Sequence, residues 1–327
     1  MSDRRHPESR AREQAMLRTA FGPAIAAALD DPSVIEVMVN PDGRLWLDRQ
    51  REGRALTGEV IGPAETERVI RLVASHIRVE VSRDAPVVSA ELPGTGERFE
   101  GVLPPVATGP CFAIRKSAGG VFRLDDYVAG GVMTAAQADA LRDAVRDRAN
   151  VLVAGGTSSG KTTLANALLA EIAASGDRIV ILEDTRELVC GADDVVALRT
   201  RPGAVSLADL VRSTLRLRPD RIIVGEVRGA EALDMFKAWN TGHPGGIATL
   251  HANGARAALT RLEQLIQEAV VTVPRALIAE AIDVVVFLAG RGAARRVEAL
   301  VRVEGVKGDG YALADLITQQ DRRGDQP

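Results

Sequence analysis

The sequence, 327 residues long, is poor in aromatic side chains, with 6 Phe, 2 Tyr and 2 Trp. Proteins that hold single strands without sequence preference stack bases on such rings and track the backbone with positive charge. The scarcity of rings and a formal net charge of −3 therefore predict no direct nucleic-acid binding. Cysteine is just as scarce. Cys111 and Cys190 form no CxxC and have no histidine at ligand spacing, which excludes a tetracysteine zinc element and a disulfide framework. Reduced thiols of this kind predict a cytoplasmic setting. The most apolar stretch, ALIAEAIDVVVFLAG, is interrupted by Glu280 and Asp283 and falls short of the ~18–20 residues that cross a bilayer. The start, MSDRRHPESRAREQ, has no apolar run of the secretory kind. Membrane contact, if any, is expected to be peripheral. Lysine is also rare, 4 of the 41 basic residues, so each one stands out.

What is present divides the chain. Residues 1–18 read as a mobile tail, and a short helix is expected over 21–31, ending at Asp31-Pro32. SVIEVMVNPDGRLWLDR alternates about Asn40-Pro41-Asp42-Gly43, a hairpin signal. ETERVIRLVASHI has the spacing of an amphipathic helix, and VVSAELPGTGERFEGVLPP and CFAIRK read as further strands. Residues 19–117 thus predict a small α+β domain. Paired glycines, Gly119-Gly120 and Gly130-Gly131, place a linker over 118–133. Thr134 then caps a helix, and short apolar strands are expected at 151–154, 179–182, 221–225 and 246–250, separated by helices. One of these helices is opened by a Ser206…Asp209 capping box. Residues 134–318 are therefore expected to form an α/β domain on a parallel sheet, followed by a tail over 319–327.

VLVAGGTSSGKTTLANALL carries the chemistry. Gly155, four residues, Gly160, Lys161 and Thr162 satisfy GxxxxGK[ST], with a strand before and a helix after. Glycines let backbone N–H groups wrap a phosphate, and the new helix presents its positive end. Gly155, Gly156, Thr157, Ser158, Ser159, Gly160, Lys161, Thr162 and Thr163 are the expected phosphate-binding set. Lys161 would reach the β- and γ-phosphates, and the Thr162 hydroxyl would ligate Mg²⁺. In RPDRIIVGEVRG an apolar strand delivers Glu226, which reads either as a general base or as a solvated partner of Arg228. IVILEDTREL ends at Glu183 and Asp184, placed to steady Mg²⁺ or to serve as loop charges. TGHPGGIATLHANGA carries His243 and His251; each fits a γ-phosphate sensor or a structural histidine.

GGTSSGKTT, ILEDTREL, RPDRIIVGEVRG and TGHPGGIATLHANGA, in that order, resemble the Walker A, Asp box, Walker B and His box of the traffic ATPases of type II and type IV secretion. ERFEGVLPP and FAIRK are most similar to the conjugative-transfer ATPases of the TrbB type. The resemblance runs from about residue 15 to about residue 315. It implies a RecA-like α/β ATPase domain behind a smaller α+β N-terminal domain. It also implies a homo-hexamer at the cytoplasmic face of the inner membrane, with inner-membrane secretion or conjugation proteins as partners and ATP and Mg²⁺ as ligands. Arg98 in GERFEG and Arg115 in FAIRKS match the arginines that close over the phosphates in that family. The missing tetracysteine element points to the conjugation branch. Walker B has Gly225 before Glu226 where many P-loop enzymes carry Asp, an arrangement the traffic ATPases share. A RecA-like DNA translocase and a non-hydrolysing ATP-dependent assembly switch are the alternatives.

Overall fold

A computed structural model describes residues 7–50, 52–116, 122–201 and 203–317, with side chains from residue 15 onward. The chain divides into two compact units, one up to residue 119 and one from residue 120. The expected tail over 319–327 lies outside the described residues, as do the first six residues and the Gly119-Gly120 pair.

The first unit runs α1 (Pro7–Asp30), β1 (Val34–Val39), β2 (Arg44–Arg49), β3 (Gly53–Val60), α2 (Pro63–His76), β4 (Val87–Glu91), β5 (Arg98–Val102) and β6 (Cys111–Arg115). Its sheet has the order β3-β2-β1-β6-β5-β4, and each neighbouring pair is antiparallel. The hairpin at Asn40 forms: Val39 pairs with Leu45, and Gly43, at φ 81°, donates to Asn40 O at 2.9 Å. Alternation puts Val37, Val39, Leu45, Leu47, Phe99, Phe112 and Ile114 into one core with Ile25 of α1 and Ile70 and Val73 of α2. The expected tail is corrected here, because residues 7–18 are helical. The helix is interrupted at Gly22 (φ 72°), just before Pro23, and its buried face begins only at Leu17.

In the second unit come α3 (Leu124–Ala129), α4 (Ala135–Arg146), β7 (Val151–Gly155), α5 (Lys161–Ile172), β8 (Ile179–Glu183), β9 (Val195–Arg199), α6 (Leu207–Thr214), β10 (Arg221–Val227), α7 (Glu231–Asn240), β11 (Ile247–His251), α8 (Ala255–Ile266), α9 (Arg275–Ala281), β12 (Val284–Ala289), β13 (Arg296–Lys307) and β14 (Gly310–Asp315). The sheet order is β14-β13-β12-β7-β11-β10-β8-β9. From β12 to β9 the strands are parallel, and β13 and β14 add an antiparallel edge.

Each central strand is apolar throughout because both faces are covered. Leu152, Ala154, Val180, Leu182, Ile222 and Val224 pack toward Phe236, Leu259 and Leu262 of α7 and α8. Their neighbours Val151, Val153, Ile179, Ile181 and Ile223 pack toward Leu141 and Leu168 of α4 and α5. The capping boxes at Thr134…Gln137 and Ser206…Asp209 close reciprocally. The linker over 118–133 is narrower than expected. The structure puts α3 inside that stretch, and Leu124, Tyr127 and Met133 are buried in the second unit's core.

At the amino ends of the strands a polar cluster fixes the sheet. Asn150 bonds Asp283, Ala281 O and Gly246 N, at 2.7–2.8 Å. Arg221, buried, donates to Asp177 at 2.7 Å, and Arg148 pairs with the other oxygen of the same carboxylate. Burial pushes Asp177 up, but the hydrogen bonds of Arg221 and Ser175 and the charges of Arg221 and Arg148 outweigh it and hold the carboxyl below its usual range.

Candidate active site

The candidate residues of the second unit gather at the opposite, carboxyl ends of the strands, where open α/β sheets bind ligands. Gly155 ends β7, residues 156–160 form the loop, and Lys161, Thr162 and Thr163 make the first turn of α5. A Cβ on Gly155 would lie 2.4 Å from Ser159 Oγ and 2.8 Å from Leu288 O, so only glycine fits beneath the loop. Gly160 caps α5 at φ 95°, a left-handed conformation that glycine adopts without strain. Ser159 Oγ is buried without a hydrogen-bond partner, and the first N–H groups of a helix lack intrahelical acceptors. A loop lined in this way is a cradle for an anion.

Lys161 is buried at the loop's mouth. Its Nζ lies 3.1 Å from Gly156 O and 3.2 Å from His251 Nδ1. An ammonium only donates, so Nδ1 accepts and the ring hydrogen belongs on Nε2. That nitrogen is 2.8 Å from Glu226 Oε1, close but without hydrogen-bond alignment. Glu226 Oε2 accepts from Arg228 Nε at 2.9 Å. Three residues far apart in sequence thus meet in a line: Lys161, His251, Glu226. His251 stands at the end of β11, register partner of Gly155. His243 lies apart from this line, its Nδ1 3.1 Å from Ala238 O.

Glu226 owes its position to a bulge. Val224 pairs with Ala248 and Val227 with Leu250, so two residues of β10, Gly225 and Glu226, face one of β11, Thr249. A Cβ on Gly225 would come 3.0 Å from Glu183 Cγ, and Thr249 Oγ1 donates to Gly225 O at 2.6 Å. Glycine before the acid makes room for Glu183 beneath it.

The acids after β8 divide their work differently from the sequence reading. Glu183 is buried, and its Oε1 accepts from Glu187 N at 2.9 Å and Leu188 N at 2.8 Å. Burial pushes its carboxyl up, although these two backbone donors pull it back. Asp184 turns away, accepting from Thr200 Oγ1 at 3.0 Å and lying 3.5 Å from Arg228. The acid that meets Thr162 is Glu187, whose Oε2 accepts from Thr162 Oγ1 at 3.2 Å. The only signal for Glu187 in sequence is its place in LEDTREL, four residues past Glu183.

Arg98 and Arg115 belong to the first unit. They are register partners on β5 and β6, so their side chains share one face of the sheet. Glu36 faces Arg115 from β1, and Glu91 faces Arg98 from β4. The row Glu36–Arg115–Arg98–Glu91 crosses four strands, with the like charges in the middle bracketed by carboxylates. Burial pushes Glu36 up, and Arg115 opposes it.

Comparison with known proteins bears on the chain as a whole. The type II/IV secretion system protein family matches residues 24–293. The conjugal transfer protein TrbB of Rhizobium radiobacter is 50% identical over 297 residues, covering 90% of this chain and 91% of that protein. The type IV secretion system protein PtlH of Bordetella pertussis is 36% identical over 312 residues, 82% of this chain and 90% of that protein. In fold, the chain resembles the Legionella pneumophila ATPase DotB, with a TM-score of 0.59 at 19% identity over 80% of this chain and 73% of that one. Shared sequence along nearly the whole length, and not the site alone, decides the assignment: the chain belongs to the type II/IV secretion system protein family, among its TrbB-type traffic ATPases.

Proposed function

We propose that this chain hydrolyses ATP and drives a conjugative type IV secretion apparatus or its pilus assembly, as a homo-hexameric ring at the cytoplasmic face of the inner membrane. The single observation that carries the catalytic part is the line Lys161–His251–Glu226 at the mouth of the phosphate loop. The names of the Rhizobium and Bordetella relatives support the apparatus. Among the described residues no helix is long and apolar enough to cross a membrane; the assignment of inner-membrane partner proteins rests on the family.

In this reading the loop N–H groups and Lys161 bind the phosphates. Lys161 exchanges a carbonyl and an imidazole for phosphate oxygens, which are stronger, charged acceptors. His251, released from the ammonium, is left facing the terminal phosphate as its sensor. Glu226, held by Arg228, orients the attacking water and accepts its proton. Thr162 and Glu187 offer a hydroxyl and a carboxylate oxygen to one point, a donor pair suited to a small hard cation, and Glu183 fixes the turn that presents Glu187. A Mg²⁺ held by Thr162 and Glu187 would supply positive charge against the negative charge that develops on the phosphates. The family resemblance assigns Arg98 and Arg115 as further positive charge for the phosphates.

The test is phosphate release from the purified chain, run beside native mass measurement, for wild type and Lys161→Ala. The expected result is a nucleotide-stabilised hexamer that turns over, and a variant that does neither. A wild type that binds ATP but releases no phosphate, even with lipid present, would reduce the motor to a switch. A monomer at every concentration would remove the ring.

A further inference from the structure

Lys161 is not the only cation at the loop. Arg295 approaches it within the second unit, from the turn that leads into β13. Gly290, at φ 75°, closes this turn so tightly that a Cβ there would lie 2.1 Å from Ala294 O. Ala294 N donates to Arg291 O and Arg295 N to Gly292 O, at 3.1 and 3.3 Å. A turn so constrained aims the side chain that follows it.

The Arg295 guanidinium lies against the start of α5. Its Cζ and Nε are 3.1 Å from where a Cβ on Gly160 would stand, and its Nη2 reaches Ser158 O at 3.5 Å. Ser158 sits at φ 62°, which a residue with a Cβ adopts at a cost. Arg295 Nε is buried and has no acceptor. Among the described residues no carboxylate pairs with this side chain. An arginine in this position is held by loop backbone alone.

The chain leaving Arg295 runs against the segment that holds α3, the first helix after the junction of the two units. The buried Tyr127 hydroxyl has no hydrogen-bond partner, and the Arg295 charge opposes the upward push of burial on it. Phe122 meets Tyr127 edge to face, with ring centroids 6.4 Å apart. Two residues beyond Arg295, Val297 N donates to Val132 O at 2.7 Å and Val297 O accepts from Gln137 Nε2 at 3.3 Å. Hydrogen bonds and the intervening backbone thus link Ser158 and Gly160, through Arg295 and Val297, to Val132 and Gln137.

We propose that Arg295 is a positioning residue that ties the phosphate loop to α3, so that occupation of the loop is felt at the segment leading to the first unit. This rests on the reading that the loop holds nucleotide. When the loop N–H groups turn onto a phosphate, the Ser158 peptide turns with them. Its carbonyl carries Arg295 along, because no carboxylate anchors the guanidinium elsewhere. Tyr127 and the 132–137 turn then move or stiffen with the arginine.

The experiment is hydrogen–deuterium exchange on the full chain with and without a non-hydrolysable ATP analogue, for wild type, Arg295→Gln and Arg295→Lys, beside titration with a fluorescent ATP analogue. In wild type, nucleotide slows exchange both in 161–172 and in 124–133. In Arg295→Gln the first protection persists, the second is lost, and affinity drops by roughly fivefold or more. Arg295→Lys restores part of the second. Equal protection of 124–133 in wild type and Arg295→Gln would overturn the proposal, as would a wild type whose 124–133 exchange ignores nucleotide. Faster exchange of 124–133 in Arg295→Gln without nucleotide would make the residue a plain structural strut, and this too overturns it. If wild type bound no nucleotide at all, the functional reading itself would fall; binding with unchanged exchange sinks only the coupling.

Discussion

Replacing Glu226 by Gln keeps shape and removes one charge and one base, and the two losses have opposite signs. Lys161 Nζ stands 3.2 Å from one side of the His251 ring, and Glu226 Oε1 stands 2.8 Å from the other. With the imidazole between them, the ammonium and carboxylate lie about 7–8 Å apart, where unit charges interact by roughly 2 kcal/mol at an effective dielectric of about 20. A terminal phosphate seated on Lys161 feels a repulsion of the same order from Glu226. Arg228, bonded to that carboxylate, offsets part of it. The remainder, about 1 kcal/mol, predicts ATP binding tighter by roughly fivefold. The lost base predicts turnover slower by about 10²–10⁴-fold. Fluorescent nucleotide titration and single-turnover phosphate release read the two effects separately. Turnover within about threefold of wild type would remove Glu226 from the base's role. Weaker binding, as for Lys161→Ala, would refute the electrostatic argument.

Two further outcomes follow from the geometry. Glu187→Gln takes the charge from the oxygen that Thr162 meets, so the Mg²⁺ concentration for half-maximal turnover rises by about 10-fold or more while saturating turnover changes less; an unchanged Mg²⁺ titration would return the metal to Glu183 and Asp184. Asp177 is held below its ordinary range by Arg221, Ser175 and Arg148, so its ionised form stabilises the fold fully above about pH 4 and the contribution fades as pH falls through the lower native value. Asp177→Asn leaves Arg221 buried and unpaired. It is expected to cost about 3–5 kcal/mol near neutral pH, read by chemical denaturation. The gap from wild type should narrow in acid, and a gap that widened would reverse the sign.

What the sequence disclosed and what it withheld have physical causes. The strand–loop–helix at 151–172 was legible because each residue type answers a local demand: Gly155 has no room for a Cβ, Gly160 needs positive φ, and Lys161 begins a helix. The hairpin at Asn40-Pro41-Asp42-Gly43 and the two capping boxes are local for the same reason. The first turns of α1 escaped because RRHPESRARE offers no apolar repeat before Leu17. At six residues, α3 is too short for periodicity to register, and its flanking glycines read as linker. Glu187 lies in a loop, where only three-dimensional contact with Thr162 distinguishes it from Asp184. Arg295 sits 135 residues beyond Gly160 in sequence (295 − 160) and touches it only because β12 lies beside β7.

The bulge in β10 also governs how this sequence can change in length. A deletion of Gly225 would let the ladder run on regularly from Val224–Ala248 and bring Glu226 opposite Thr249, which is buried. Such a deletion would repair the sheet's pairing and abolish its acid, whereas most one-residue deletions in a strand damage pairing first. Among relatives of altered length, gaps are therefore expected in loops such as 267–274, and a chain missing one residue between Val224 and Val227 is expected to have lost turnover before it loses its fold.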